Sequence, residues 1–414
     1  MSELPRLSAP LQWLNRDGKL LILARALCNC AHGSIAVLIA LYLDKLGFGL
    51  IQIGVFLSAG VAGSAVFAFI TTLVSERVGR RRLLVLFTLM SASAGLALVF
   101  TRDYQILLLF AFVGSISGAV GGASGSTQPL EQASLPDTAP PEKRTDLFAI
   151  YRIIGLSGVA IGTLAAGLPP IYQKVFGVTE IDSYRIVFIA ITLFLLIAAI
   201  FYRLLSPSVE VGGTEQKWIN PLRLPSRRII FTLTGLFSLD HFAGSLFMQS
   251  LAAYWFYSKF GLKLESLALV FFFSQILAAI SLWLAAKLAN RIGLINTMVF
   301  THIPSSLFLI AAAFAPAPWL AILFWQLRAF LSMMDVPTRD SYTMSVVQPN
   351  ERVAMAGIHI VGRSISGTFG PSIATGLWQV FSATVPLLGC AILKITYDLS
   401  LYFMFRNVKP PQEI

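Results

Sequence analysis

Stretches of mostly apolar residues, separated by short turns rich in glycine, proline and charge, follow one another along the whole chain. An α-helix needs roughly 20 such residues to cross a hydrocarbon core, and inside that core its backbone groups must bond within the segment itself. Reading the runs between turn and charge signals gives twelve candidate helices. They lie at 20–43, 50–75, 83–101, 105–133, 147–169 and 185–204 in the first half, and at 229–257, 264–289, 296–314, 318–345, 353–378 and 383–405 in the second. Twelve crossings take up roughly 240 residues of the 414, which fits the length without a separate soluble domain. Composition agrees: 56% of residues are hydrophobic and 12% charged, against about 45–50% and about 25% in soluble domains. An ordinary soluble enzyme is excluded.

The net charge of +11 does not indicate nucleic acid, because the basic residues form no continuous block or binding motif. They flank apolar runs, where they set orientation. With Lys and Arg gathered inside, both termini are expected on the cytoplasmic side of a cell membrane. The first nineteen residues, with Pro5, Pro10, Arg6, Arg16 and Lys19, lack the layout of a signal peptide, so the first crossing itself is expected to direct insertion. Cys28, Cys30 and Cys390 fall in apolar runs and read as small buried hydrophobes rather than a disulfide framework.

One long polar interruption, Ser206 to Arg228, separates residues 1–205 from 229–414. It reads as a linker between two six-helix bundles, and the halves repeat. At an offset of 208, Pro129, Pro141, Arg144, Ile150, Gly162 and Ala166 match Pro337, Pro349, Arg352, Ile358, Gly370 and Ala374. At an offset of 214, Gly47, Arg77 and Gly79 match Gly261, Arg291 and Gly293. Parallel duplication of a six-helix unit is a transporter architecture, with the site near mid-membrane between the repeats.

Between the second and third runs stands Thr72-Leu73-Val74-Ser75-Glu76-Arg77-Val78-Gly79-Arg80-Arg81. It resembles the cytoplasmic signature loop of the major facilitator superfamily, Gly-x-x-x-Asp-Arg-x-Gly-Arg-Arg/Lys, with Thr72 in place of Gly and Glu76 in place of Asp. The second copy, Asn290-Arg291-Ile292-Gly293, has lost the acid. The resemblance implies an all-α membrane fold of two pseudo-symmetric six-helix bundles. It also implies a gate in which the loop carboxylate meets the start of the eleventh helix, near Asn350 to Arg352. Glu76, Arg77, Gly79 and Arg80 are its candidate gating residues, with Glu131 as a possible partner for an arginine. In the fifth run, Gly158, Gly162, Thr163, Ala166 and Gly167 resemble a degraded form of the superfamily's drug/proton antiporter signature. Close helix packing through small residues is the competing explanation, as it is for Gly114, Gly118, Gly121, Gly122 and Gly125 in the fourth run.

Ionisable side chains deep in a bilayer are costly and usually face a cavity or a partner. The resemblance implies that helices one, four, seven and ten line the cavity. They carry Arg25, Asn29 and His32; Gln128 and Glu131; Asp240, His241 and Gln249; and Arg328 and Asp335. Arg152 and Arg363, on helices five and eleven, belong at the interface of the halves. Asp240 matches Ala26 at the 214 offset, so Arg25 and Asp240 are expected at similar depth, able to meet across the cavity in one state. Asp240 is therefore the candidate carrier of a coupling proton. Lys394 and Asp398, four apart, read as a self-neutralising pair on a peripheral helix.

The reading is a monomeric secondary transporter of a small organic solute, exporting it against proton entry. Proton-coupled uptake of an anionic metabolite is the alternative, favoured by the excess of deep arginines. A membrane enzyme or a non-transporting receptor has less support: no phosphate loop, nucleophile–base set or metal spacing stands out, and no cofactor is expected.

Overall fold

The computed structural model describes residues 13–119, 126–210, 224–348 and 351–408, apart from a few side chains within those ranges that include Glu76 and residues 352–354. All regular structure among the described residues is helical. The first half contains α1 (Arg16–Lys45), α2 (Leu50–Val78), α3 (Arg80–Phe100), α4 (Tyr104–Gly114), α5 (Gln128–Ser134), α6 (Arg144–Ala165), α7 (Pro169–Phe176) and α8 (Glu180–Arg203). The second contains α9 (Arg227–Leu246), α10 (Gln249–Phe260), α11 (Leu264–Ile292), α12 (Leu294–Ala313), α13 (Pro318–Ser332), α14 (Asp335–Ser345), α15 (Arg352–Thr368), α16 (Gly370–Val380) and α17 (Thr384–Phe405). Among the described residues ten helical stretches are long and apolar enough to cross a membrane. The fourth and eleventh expected runs are not among them: their apolar helices α4, α15 and α16 have only 11, 17 and 11 residues.

The splits in the expected runs have local causes. The fourth run, expected as one helix over 105–133, ends its first helix at Gly114, where Ser115 adopts a left-handed conformation at φ 56°. Glycine costs a helix interior about 1 kcal/mol relative to alanine, and this run carries five; Gly121, Gly122 and Gly125 themselves lie outside the described residues. The eleventh run breaks between Thr368 and Gly370, immediately before Pro371, whose missing N–H and ring preclude continuing the preceding helix. The seventh and tenth runs break at Phe247 and at Met333–Met334. The first is unbroken, and Ala36 to Leu43 within it are at most 1% exposed. It packs against α6, α8 and α10 and forms the spine of the first half.

Two repeat positions carry the same unusual backbone. Gly79, between α2 and α3, has φ 94°, and Gly293, between α11 and α12, has φ 86°. Both turns need the left-handed region that glycine enters without a Cβ penalty. Outward-facing apolar side chains, among them Leu73, Phe100, Trp283 and Phe403 at 62–80% exposure, give the molecule the apolar exterior of a lipid-embedded protein.

The halves touch mainly at the end away from the start of α1 and the end of α17, here called the far end. There Tyr254 of α10 donates to Asp44 of α1 at 2.9 Å, and Ser372 of α16 donates its hydroxyl to Ser58 of α2 at 2.8 Å. Gly54 lies so close to Pro371 and Thr375 that any Cβ would collide with them, and Gly118 does the same against Ser250. Toward the opposite, terminal end, the specific contact between halves is Arg152 to Asp340 at 3.7 Å, both about half exposed.

Candidate functional site

Each half encloses a buried charge cluster. In the first, Arg25 lies nine residues into α1, about 14 Å along the axis, and its guanidinium is 3.5 Å from Glu131 of α5. The carboxylate is fully buried and also accepts hydrogen bonds from the hydroxyls of Tyr151 and Tyr202. Arg25 stacks over the Tyr151 ring at 5.0 Å. A buried carboxylate with one cation and two hydroxyl donors has its acceptor sites filled, which is the condition under which a buried charge persists. Asn29, one turn on, donates to the Gly155 carbonyl at 2.8 Å.

The second cluster is larger. Asp240 of α9 accepts from Lys394 of α17 at 2.6 Å and from Arg339 of α14 at 3.2 Å. Arg339 also donates to Asp335 at 3.0 Å and lies 5.6 Å from the Phe237 ring centre. From Lys394 the chain continues to His302 Nε2 of α12 at 3.3 Å, and His302 Nδ1 lies 3.0 Å from both oxygens of Asp398 on α17. Asp240, Asp335, Arg339, His302 and Asp398 are at most 7% exposed.

Several sequence expectations change. Arg25 does not meet Asp240; each is held within its own half by the partners just given. Lys394 and Asp398 do not pair with each other, because both point inward, to Asp240 and His302. Arg328 and Asp335, as their spacing suggested, do not bind each other: Arg328 lies 4.7 Å from the Trp325 ring centre and Asp335 pairs with Arg339. Glu131, a possible partner for an arginine, pairs with Arg25 rather than with one of the loop. Arg80 instead donates to the Ala133 carbonyl at 3.1 Å and lies 3.9 Å from Asp137, while Gly79 abuts the Glu210 carboxylate. Arg77 is exposed. The Glu76 side chain, Pro349, Asn350 and the Arg352 side chain lie outside the described residues, so the expected docking of Glu76 falls there too.

The remaining candidates are placed as follows. Gln249 accepts from Gln275 at 3.1 Å, and Gln128 is half-buried at the start of α5. His241 packs against α15 at Gly367. His32 Nδ1, both ring nitrogens of His359 and the Nε of Arg363 are buried without a hydrogen-bond partner among the described residues. Sequence reasoning missed Arg339, His302, Tyr151 and Tyr202. Arg339 was legible as the residue one helical turn after Asp335, whereas His302 sits on a helix not expected to reach the cavity. A further cavity at the far end is lined by Lys45, Lys174, Glu180, Tyr257, Lys263 and Glu265, away from both clusters.

Comparison with known proteins fits this arrangement. The chain is 27% identical over 445 positions to the uncharacterized membrane protein YJR124C of Saccharomyces cerevisiae, covering 98% of this chain and 97% of that one. Among solved structures, the nucleoside transporter NupG superimposes with a TM-score of 0.75 at 14% identity, covering 94% and 100% of the two chains. The human organic anion transporter MFSD10 gives 0.64 at 16%, covering 93% and 99%, and a D-xylose–proton symporter gives 0.71 at 12%, covering 94% and 97%. At such identities the likeness is one of fold. Residues 21–371 match the model of the Major Facilitator Superfamily, which spans most of both halves, and the chain therefore belongs to that superfamily of membrane transporters.

Proposed function

We propose that this protein carries a small organic anion across a cell membrane by alternating access, coupled to proton movement, with its termini cytoplasmic and its extracellular end closed in the conformation described. The observation that carries the substrate class is the balance of deep arginines after pairing. Arg25 is neutralised by Glu131, Arg152 by Asp340 and Arg339 by two aspartates. Arg363 and Arg328 have no carboxylate within ion-pair distance among the described residues. A largely desolvated guanidinium without a counter-ion favours an anionic ligand. His359, one turn before Arg363, adds two unpartnered ring nitrogens.

Far-end contacts between the halves, set against an exposed Arg152–Asp340 pair at the other end, support the inward-open assignment. A Cβ on Gly158 or Gly162 would collide with the α1 carbonyl of Ala26 or Cys30, so packing accounts for the glycine run of α6, and the sign of flux is what the assay reads.

A thermal-shift screen of the purified chain against organic anions, cations and neutral solutes tests the class, since a ligand at 100 times its Kd adds about 2.7 kcal/mol. Stabilisation by an anion, lost in Arg363→Gln and followed by pH-gradient-driven flux in proteoliposomes, is the expected result. Stabilisation and flux confined to cations or neutral solutes would overturn it.

A further inference from the structure

The second cluster has an uneven charge count. Asp240, Asp335 and Asp398 supply three acids, whereas Arg339 and Lys394 supply two permanent cations. With His302 neutral these directly bonded groups carry one net negative charge, and with His302 protonated they balance; Arg363 of α15, the next cation, acts on Asp240 and Asp335 from beyond ion-pair distance. Uncompensated charge in a low-dielectric interior is costly, so this cluster has a place for one proton.

The geometry says where. Asp240 faces two cations and Asp335 one, but Asp398 faces only His302, equidistant at 3.0 Å from both carboxylate oxygens. On the other side of the ring, Nε2 is 3.3 Å from Lys394 Nζ and 3.9 Å from Asp240 Oδ1. We propose that His302 is the residue that takes up and releases the coupling proton, displacing Asp240 from that role. This rests on the proposed proton-coupled transport.

Neutral His302 keeps its proton on Nδ1 toward Asp398 and accepts from Lys394 at Nε2. A proton arriving from water at Nε2 turns that acceptor into a donor, so the Lys394–His302 hydrogen bond becomes a contact between two donors. The imidazolium Nε2 then has Asp240 Oδ1, at 3.9 Å, as the acceptor to turn to and competes there with Lys394. Asp240 sits on α9 and Lys394 on α17, so uptake of one proton loosens the tie between these two helices. Release of the proton to water restores the tie. A change of partner at a buried acid is a local event able to bias a two-state element.

The groups facing His302 come from four neighbouring helices. α17 presents Lys394, Asp398 and the Tyr397 ring at 6.0 Å, and α9 presents Asp240, with His241 beside it. α14 presents Arg339 and Asp335 through Asp240. α13 brings Arg328, whose carbonyl accepts from Ser305 at 3.4 Å. On α11 the ionisable residues Glu265, Lys287 and Arg291 lie near the helix ends, and α16, packed behind α17, has none.

The chain has four histidines, so nitrogen-15 histidine spectra of the purified full-length protein between about pH 8 and pH 5 read the site without a substrate. One imidazole converting to imidazolium, a signal absent in His302→Gln and in Asp398→Asn but kept in His32→Gln, is the expected result. No imidazolium in wild type, or one assigned to another histidine, would overturn the proposal, as would a protonated carboxyl signal abolished only by Asp240→Asn. In proteoliposomes with an anion from the thermal-shift screen, His302→Gln keeps substrate exchange and loses gradient-driven accumulation by about tenfold or more. Accumulation equal to wild type would also overturn it. If wild type moves no compound, the transport reading fails while the spectra still decide where the proton sits.

Discussion

The two buried clusters use pseudo-equivalent helices and reverse the polarity between them. In the first half the cation, Arg25, is on the opening helix and the acid, Glu131, on the fourth run; in the second the acid, Asp240, is on the opening helix and the cation, Arg339, on the tenth run. Glu131 and Arg339 occupy matching positions at the 208 offset. The first pair is closed: one acid, one cation and two tyrosine hydroxyls, with nothing of the carboxylate exposed. The second pair is a link in a longer chain that runs through Lys394 and His302 to Asp398. The difference separates a pair that fixes a scaffold from one that exchanges partners.

The largest effect expected from breaking this contrast is Glu131→Leu, which strands Arg25 in the interior. Loss of one member of a buried pair costs about 3–5 kcal/mol, read as a fall in unfolding temperature in detergent. Adding Arg25→Leu should recover much of it, and a double variant as unstable as the single one would show that the first pair is more than a scaffold.

Asp240→Asn leaves Arg339 one acid and Lys394 none, so its cost is about 1.5–3 kcal/mol. Chemical denaturation of the two variants side by side tests whether the second cluster redistributes its charge better than the first. Asp398→Asn keeps an acceptor for His302 and is expected to cost ~1 kcal/mol; a cost as large as that of Glu131→Leu would mean that His302 is permanently charged. At the bottom of the scale, Arg152→Gln removes a half-exposed pair and should change stability by ~0.5 kcal/mol or less. A double-mutant cycle with Asp340→Asn would expose any larger coupling.

Much of this was legible in the chain. Apolar runs, turn glycines at 79 and 293, and the 208 and 214 offsets follow from the length and spacing that lipid and tight turns demand. The helix breaks were less visible, because Phe247 and Met333–Met334 are as apolar as their neighbours and only Pro371 and the glycines of the fourth run announce a stop. Lys394 and Asp398 were misread for a different reason. Spacing along one helix identifies which residues share a face, but not whether that face prefers its own members or a neighbouring helix. Here Asp240 and His302 outcompete the local pair by offering buried partners. His302 itself required knowing that α12 and α17 pack together.

The join at the far end is built from Gly54, Ser58, Gly118, Ser250, Ser372 and Thr375. Parting this part of the join uncovers hydroxyls and bare backbone, which water can solvate at once, beside the apolar side chains that α1 and α10 share. Tight glycine contacts give closure its shape while asking little of each opening, which suits a seam that the proposed alternating access would part with every cycle.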